Sequence, residues 1–496
     1  MLYQSTRGSG LRITAAEAIA QGLAEDGGLL APESFPRLEP ETLSELAKKP
    51  YNERAAYIMG LFLEDFSAEE ISRYSSEAYK EPGFSNPAIA PLFKLDRNTH
   101  FLELWHGPTC AFKDMALQIL PHLLAASLRK TGEKRAVCML VATSGDTGKA
   151  ALEGFRDVPG TKITVFYPRD GVSDVQKLQM TSQEGDNVNV YAVEGNFDDT
   201  QTGVKEIFSD EALRRELSDR GYFLSSANSI NWGRLLPQIA YYISSYCDLL
   251  AGGEIKLSDD VNFCVPTGNF GNILAAYYAE KIGLPVKKLI CASNRNDVLT
   301  QFINTGVYDK NRPFYTTVSP SMDILVSSNL ERLLFELSGK DGSAVSAYMS
   351  ALSANGRYAV MPAIRDEIQR VFAGGWCSEE DTARTIGETY SKNNYLIDTH
   401  TAVAYKVLCD YRSDTGDETP TVVVSTASPF KFCDSVLSAL GKPCAQEGTA
   451  LIDILSETTG CMIPAPLAAI KEKTQRFPGC VTPDGMKKVV TDSLKG

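Results

Sequence analysis

Metal-binding side chains are scarce in this chain. Its 496 residues include 4 histidines and 11 cysteines, and no two cysteines form a Cys-x-x-Cys pair. Structural zinc sites are built from closely spaced cysteines and histidines, so we expect no metal site. Cysteines scattered without a paired framework are typical of the reduced thiols of a cytosolic protein.

Long apolar runs and basic runs are also lacking. No stretch approaches the ~20 apolar residues that span a bilayer, and Met1–Arg7 lacks the apolar core of a signal peptide. The net charge of −13 disfavours a nucleic-acid surface, which needs clustered cations. We therefore expect a cytoplasmic protein that binds neither membranes nor nucleic acid. Any anionic ligand of so acidic a chain requires cations concentrated at its site.

The composition is that of a globular protein, with 43% apolar and 22% charged residues, and the length suffices for about three domains. Helical spacing predicts a mainly helical N-terminal domain over residues 1–95. Over 135–235, short apolar strands alternate with helical patterns, which predicts a small α/β domain with a parallel sheet. Residues 96–134 and 236–496 form the predicted large domain, with a helical insertion around 325–415.

Two glycine-rich loops, Thr143–Gly148 and Pro266–Asn272, each join a predicted strand to a predicted helix. Ligands of α/β folds bind at the carboxyl ends of strands, and a helix start with close glycine backbone favours an anion. Taken alone, the first loop is better explained as a plain strand–helix turn, and the second equally well as a structural turn. A magnesium-nucleotide loop is excluded, because Ala150 follows Lys149 where Ser or Thr is required.

Two further polar segments follow predicted strands. Ser226–Arg234 combines asparagines, serines and an arginine, which suit a phosphate, although the segment taken alone is better explained as a capped helix start with a surface arginine. Ser425–Pro429 ends the last predicted strand, Thr421–Ser425. A hydroxyl there either bonds a ring nitrogen or serves as an ordinary N-cap.

The segment His106–Asp114 contains Lys113. A lysine amine can hold a carbonyl cofactor covalently, whereas a lysine taken at random is most often a solvated surface cation. The segment resembles the one that carries the cofactor lysine in threonine synthases, and the similarity extends over nearly the whole chain, from Tyr3–Gly8 to Asp398–Tyr405. The length and the helical N-terminal region are similar to the longer bacterial and fungal branch of that family.

The resemblance implies an α/β protein of PLP (pyridoxal 5'-phosphate) fold type II, similar to the tryptophan synthase β chain. The resemblance implies two αβα domains with parallel sheets and, in addition, a mainly helical N-terminal domain. One lysine, two anion loops, an Asn/Arg cluster and a terminal hydroxyl are the parts that a PLP-dependent lyase needs.

The resemblance also implies a role for each motif. Lys113 would be the Schiff-base lysine and the acid–base group, Asp146 would face the cofactor's 3-hydroxyl, and Thr426 would face its pyridine nitrogen. The cofactor phosphate would be bound by Gly268, Asn269, Phe270, Gly271 and Asn272. The substrate would be bound at its carboxylate by Thr143, Ser144 and Thr147 and at its phosphate by Asn228, Ser229 and Arg234.

Four positions depart from the family pattern. Cys110 replaces a usual leucine, Lys149 a usual small residue, Ser428 a frequent histidine and Phe430 a frequent alanine. The last two neighbour Thr426, so they bear on contacts at the ring edge rather than on the cofactor itself.

The activity implied is conversion of O-phospho-L-homoserine and water to L-threonine and phosphate, by γ-elimination and then β-addition of water. Phosphate released at Arg234 would assist the addition of water. One alternative is a phospho-lyase that eliminates phosphate and releases 2-oxobutyrate. Another is a catalytically inactive regulatory homologue, against which the intact Lys113 argues. The oligomeric state is left open between monomer and homodimer.

Overall fold

The computed structural model describes residues 1–170, 172–442 and 445–494, with the backbone alone at Asp198. It has two sheets of mainly parallel strands with helices packed on them, which confirms the predicted α/β architecture. Within the described residues, no helix is both long and apolar enough to cross a membrane. The same residues contain no group of three or more metal-ligating side chains.

The large sheet has six strands. Their order is Phe372–Trp376, Val286–Ser293, Val261–Pro266, Thr421–Ser425, Thr99–Glu103 and Leu92–Lys94. Neighbouring strands are parallel except for the last pair, which is antiparallel. The two central strands are buried along their whole length, as expected when helices cover both faces of a parallel sheet.

The small sheet has five strands, and every neighbouring pair is parallel. Their order is Cys480–Val481, Val188–Val193, Thr161–Pro168, Ala136–Ala142 and Tyr222–Ser226. Two short antiparallel pairs lie outside both sheets: Tyr3–Ser5 with Leu30–Pro32, and Val307–Asp309 with Arg357–Ala359.

The helices occupy most of the remaining chain. The α-helices are Ala15–Gln21, Pro40–Leu46, Tyr51–Gly60, Ala68–Ala78, Asp114–Leu117, Leu120–Thr131, Asp146–Gly154, Asp174–Thr181, Phe197–Ser209, Glu211–Asp219, Trp232–Ala251, Gly271–Lys281, Val298–Thr305, Leu330–Leu337, Gly342–Asn355, Pro362–Val371, Glu379–Asn393, Thr399–Thr415, Cys433–Ala439, Ala450–Thr459, Ala465–Ala469 and Met486–Ser493. Short 3₁₀ turns lie at Pro320–Met322, Pro429–Lys431, Ile470–Glu472 and Pro483–Gly485.

The N-terminal region is mainly helical, as its spacing predicts. The helix Ala68–Ala78 begins at Ser67, whose side chain accepts from the Glu70 amide while the Glu70 carboxylate accepts from the Ser67 amide. Such a reciprocal cap satisfies two amides that a helix start leaves free. The region also contains the strands Tyr3–Ser5 and Leu30–Pro32, which the helical pattern does not indicate.

The predicted helical insertion around 325–415 is wrong in two elements, because Arg357–Ala359 pairs with Val307–Asp309 and Phe372–Trp376 is an edge strand of the large sheet. The edge strand escapes a pattern-based prediction because its centre is Gly374-Gly375 rather than β-branched residues. A Cβ on Gly374 would lie 3.1 Å from the Thr300 Cα, and one on Gly375 would lie 2.6 Å from a Val407 methyl group. Close helix packing on both faces therefore requires glycine here.

The C-terminal end of the predicted large domain packs elsewhere. The strand Cys480–Val481 pairs with Val188–Val193 of the small sheet. The helix Met486–Ser493 adds Met486 and Val490 to the apolar cluster on the same sheet. The prediction that 236–496 belongs wholly to the large domain is therefore corrected for this segment, whose partner strand is remote in sequence. The other domain boundaries remain a proposal.

Candidate active site

A cleft of about 800 Å³, counting the solvent at its mouth, lies at the carboxyl ends of strands from both sheets. This is the usual ligand position in such folds. The structure brings thirteen of the predicted site residues together in its lining: Lys113, Thr143, Ser144, Thr147, Asn228, Ser229, Arg234, Gly268, Asn269, Phe270, Gly271, Asn272 and Thr426. Asp146 lies behind this lining, with its Oδ2 4.0 Å from the Lys113 Nζ.

The loop that carries Lys113 is held to the end of the large sheet. The Phe112 amide donates to the Thr426 carbonyl at 2.8 Å, and Ala111 forms an antiparallel bridge with Ala427. The loop is also fixed internally, because the buried Asp114 carboxylate accepts from the amide and the hydroxyl of Thr109. Lys113 and Thr426 therefore meet although they lie far apart in sequence.

Lys113 is a buried amine, with 11% of its side chain exposed. Burial lowers its pKa to about 8, an effect that Asp146 opposes and Lys431 reinforces. Its Nζ lies 3.5 Å from the Ser321 hydroxyl. A buried lysine with a lowered pKa in a cleft is well suited to act as a nucleophile or a base near neutral pH.

Asp146 is a buried carboxylate shared between two lysines. Its Oδ1 lies 2.6 Å from the Lys431 Nζ and accepts from the side-chain Nε2 of Gln176 at 2.7 Å. Burial by itself raises the pKa of this carboxyl, but Lys431 and then Lys113 outweigh burial and hold the pKa below its ordinary value. Asp146 is therefore charged and fixed in orientation.

The loop 268–272 is shaped to receive an anion. A Cβ on Gly268 would lie 2.5 Å from the Ser321 carbonyl oxygen, so only glycine allows this approach. Phe270 has a φ of 62°, and the helix Gly271–Lys281 begins directly after it, which leaves the first amides of that helix free for a ligand. The Asn272 Oδ1 accepts from Tyr241 and Tyr242, while its buried Nδ2 has no partner among the described residues. These free donors suit a bound anion.

Arg234 is a buried cation in the lining of the cleft. It is 2% exposed, and burial lowers its pKa to about 10. One Nη donates to the Ala227 carbonyl. Among the described residues, its Nε has no partner and no acidic side chain forms an ion pair with it. Since buried charges are normally paired, this guanidinium fits a bound anion.

Three other predicted substrate-binding side chains, those of Ser229, Asn228 and Thr143, form hydrogen bonds within the protein. The Ser229 Oγ accepts from the Asn329 side chain at 3.0 Å, and the Asn228 Nδ2 donates to the Ala142 carbonyl at 3.2 Å. The Thr143 Oγ1 accepts from the amides of Gly145 and Gly148, so this hydroxyl also closes its own loop.

Sequence reasoning missed several residues of this site. Ser321, His400 and Gln238 line the cleft, and Lys431 pairs with Asp146 from behind it. The Ser321 amide donates to the His400 Nε2 at 3.2 Å, and the His400 Nδ1 lies 3.1 Å from an Asp398 oxygen. An Asp N-cap followed by a histidine was a detectable signal for His400. Ser321, in a loop without periodicity, offered none.

The four departures from the family pattern lie outside the lining of the cleft. Lys149 is buried and pairs with Glu153 at 2.9 Å. Cys110 is buried, and burial raises its pKa to about 12. The Ser428 hydroxyl accepts from the Phe430 amide and so caps the turn after Thr426. These residues stabilise the structure around the site.

Three family models match the chain in succession. Residues 2–79 match "Threonine synthase N terminus", residues 87–427 match "Pyridoxal-phosphate dependent enzyme", and residues 401–488 match "Threonine synthase, C-terminal". Together the models cover almost the whole sequence.

Curated relatives carry related names. Threonine synthase of Pseudomonas aeruginosa is 40% identical over 474 residues, which cover 95% of this chain and 97% of that protein. The human protein named Threonine synthase-like 1 is 42% identical over 434 residues, or 86% of this chain. The aligned region is 58% of the human protein, so the present chain spans little more than half the length of that relative.

Solved structures show the same overall fold. PLP-bound threonine synthase from Brucella melitensis has a TM-score of 0.87 and 37% identity, with both chains fully covered. Yeast threonine synthase also has a TM-score of 0.87, at 33% identity. These matches confirm the predicted PLP fold type II. With the buried lysine and the anion-binding loops of its cleft, the chain belongs to the threonine synthase family of PLP-dependent enzymes.

Proposed function

We propose that this chain converts O-phospho-L-homoserine and water to L-threonine and phosphate, with PLP as cofactor. The observation that supports this most directly is Arg234, a buried guanidinium without an acidic partner among the described residues, in the same cleft as the buried amine of Lys113. The amine suits the cofactor, and the guanidinium suits a second, phosphorylated ligand.

PLP, when bound, supplies an electron sink that stabilises negative charge at the substrate α-carbon. Lys113 would hold its aldehyde, and Gly268, Asn269, Phe270, Gly271 and Asn272 would hold its phosphate. Asp146 and Thr426 would contact the ring, at the 3-hydroxyl and the pyridine nitrogen. A hydroxyl such as that of Thr426, unlike a carboxylate, does not keep a ring nitrogen protonated, which favours elimination chemistry over transamination.

The substrate would lie between two sets of donors. Thr143, Ser144 and Thr147 would hold its carboxylate at the start of the helix Asp146–Gly154, where the helix dipole favours an anion. Asn228, Ser229 and Arg234 would hold its phosphate. This orientation would put the carbon chain of the substrate between the two anion sites, within reach of Lys113.

Lys113 would also move protons. With its pKa lowered to about 8, about a tenth of the amine is free at pH 7, so Nζ can accept the α-proton and return it later. The phosphate released at Arg234 would stay beside the reacting carbons and assist the addition of water. The buried walls of the cleft limit competing reactions with bulk water.

The compartment and the assembly state are part of the proposal. Seven of the ten cysteines of the described residues are buried, which supports a reducing, cytoplasmic location. The functional unit is proposed to be a monomer or a homodimer that acts on a small-molecule substrate without nucleic acid or membrane.

The test is a product assay of the full-length, PLP-loaded protein with O-phospho-L-homoserine, in which threonine, 2-oxobutyrate and phosphate are quantified together. Threonine and phosphate in equal amounts are expected. Mainly 2-oxobutyrate would replace the proposal with a phospho-lyase. No phosphate release, with PLP fully bound, would indicate an inactive homologue. Lys113→Ala serves as the blank for cofactor-independent hydrolysis.

A further inference from the structure

Lys431 is a second buried lysine at the active site, and none of the roles above includes it. Its side chain is fully buried in the turn Pro429–Lys431, five residues after Thr426. Its Nζ lies 2.6 Å from the Asp146 Oδ1 and donates to the Thr109 carbonyl at 2.9 Å. The Thr109 contact ties it to the loop that carries Lys113.

The two oxygens of the Asp146 carboxylate have different surroundings. Oδ1 pairs with the Lys431 Nζ at 2.6 Å and accepts from the side-chain Nε2 of Gln176 at 2.7 Å. Oδ2 faces Lys113, but at 4.0 Å, which is longer than a hydrogen bond. Lys113 thus lies beside a carboxylate whose closest ion pair is with another cation.

We propose that Lys431 is a positioning residue of the reaction: by holding Asp146 through Oδ1, it keeps that carboxylate from pairing with Lys113 and leaves Lys113 available as a free amine. The inference rests on the proposed function only in taking Lys113 as the reacting amine. It deepens that proposal by assigning a role to a residue that does not line the cleft.

The charges around Lys113 give the direction of the effect. Burial lowers its pKa, Asp146 from the facing helix raises it, Lys431 and Arg234 lower it, and Asp114 of its own helix raises it. Without Lys431, Asp146 would have Lys113 as its nearest cation, and a buried carboxylate requires a cationic or hydrogen-bonding partner. Removing Lys431 therefore raises the pKa of Lys113.

The experiment measures the reactivity of Lys113 as a function of pH in the full-length chain freed of cofactor. An amine-arylating probe, trinitrobenzenesulfonate, is used at limiting concentration, and labelling at Lys113 is quantified by peptide mass mapping. The expected midpoint of the unmodified chain is near pH 8. In Lys431→Met it rises by about one pH unit or more, so labelling at pH 7.5 slows about tenfold. The rate of PLP capture follows the same curve.

Matched variants separate positioning from general damage. Lys431→Arg keeps a cation and should keep the midpoint, while Asp146→Asn removes the competing carboxylate and should lower it, alone or combined with Lys431→Met. Lys149→Met removes another buried lysine, whose partner is Glu153, and should leave the midpoint unchanged.

An unchanged midpoint in Lys431→Met would overturn the inference, as would an equal shift in Lys149→Met. If Lys431→Met fails to fold, the Asp146→Asn and Lys431→Arg titrations still decide. An unchanged labelling midpoint in Asp146→Asn would mean that the carboxylate held by Lys431 has no influence on Lys113, and the inference would be wrong. No substrate is present in these measurements. A product assay that yields 2-oxobutyrate would therefore change the proposed function without changing this result.

Discussion

The buried cations of the cleft explain how a chain with a negative net charge could bind anionic ligands. The net charge is −13, yet Lys431 and Arg234 are buried around the cleft and Lys113 is largely buried, and Asp146 pairs with Lys431 at 2.6 Å and lies 4.0 Å from Lys113. Charges in such a low-dielectric wall act strongly on a bound anion. These positive charges are concentrated at the cleft, as the acidic composition predicts for a site that would bind phosphate and carboxylate groups.

Arg234 should determine substrate binding without affecting the cofactor. In Arg234→Ala we expect kcat/KM for O-phospho-L-homoserine to fall by about 100-fold or more, because a buried charged contact is worth roughly 3 kcal/mol. The PLP content, measured by absorbance, should be unchanged. Arg234→Lys should recover part of the loss, and Arg215→Ala, at a position with a 79% exposed side chain, should lose nothing. Undiminished turnover in Arg234→Ala would exclude the phosphate-binding role.

Lys113, not Lys431, should carry the cofactor. Both amines lie at the site, but Lys431 is held between Asp146 and the Thr109 carbonyl, whereas Lys113 faces the cleft. Borohydride reduction of the loaded enzyme followed by peptide mass mapping should find the cofactor mass on the Lys113 peptide alone. Cofactor on the Lys431 peptide would reverse the assignment. Lys113→Ala should bind PLP without becoming labelled.

Among the elements, the buried strand Thr421–Ser425 has the predicted bounds, because it is a short apolar run with turn or loop residues on both sides. Thr99–Glu103 was missed: it begins with Thr-His and ends with Glu, so its strand character comes from pairing with Thr421–Ser425. Pairing with a remote partner leaves little trace in local sequence.

The edge strand Phe372–Trp376 should depend on its glycines. Gly375→Ala should lower the free energy of unfolding by about 1–3 kcal/mol, because the new Cβ would lie 2.6 Å from a methyl group of Val407. Gly60→Ala is the control, since its Cβ would meet only an Ile71 methyl group at 3.8 Å, and it should be neutral or stabilising by up to about 1 kcal/mol. Denaturant titration measures both. Equal stability of the two variants would contradict the packing argument.

At the scale of the whole molecule, the chain returns to the small sheet after completing the large one. The strand Cys480–Val481 extends the small sheet beyond Val188–Val193. The helix Met486–Ser493 then covers part of its apolar cluster, against the helix Phe197–Ser209. The small sheet therefore depends on residues that are remote in sequence from its other strands.

Met486 should be essential for packing the helix Met486–Ser493 onto the apolar cluster of the small sheet. It is fully buried, and its sulfur lies where a Cβ on Gly203 would come within 2.5 Å. Met486→Ala should cost about 2–5 kcal/mol of stability, as expected for a buried large-to-small change. Met462→Ala, at a position 92% exposed, should change stability by less than about 0.5 kcal/mol. Thermal unfolding and limited proteolysis near residue 480 measure the difference, and similar behaviour of the two variants would exclude a structural role for the C-terminal helix.

The α/β class, the glycine loops after their strands, Lys113 and the family of the chain could be predicted from the sequence, because they depend on local patterns and on motifs along the chain. The pairing of Lys431 with Asp146, the hydrogen bond from the Ser321 amide to His400, and the burial of Arg234 without an acidic partner among the described residues became visible only in the folded structure. Lys431 reaches the Thr109 carbonyl across 322 positions of sequence. Such contacts depend on the path of the whole backbone, which no local pattern encodes.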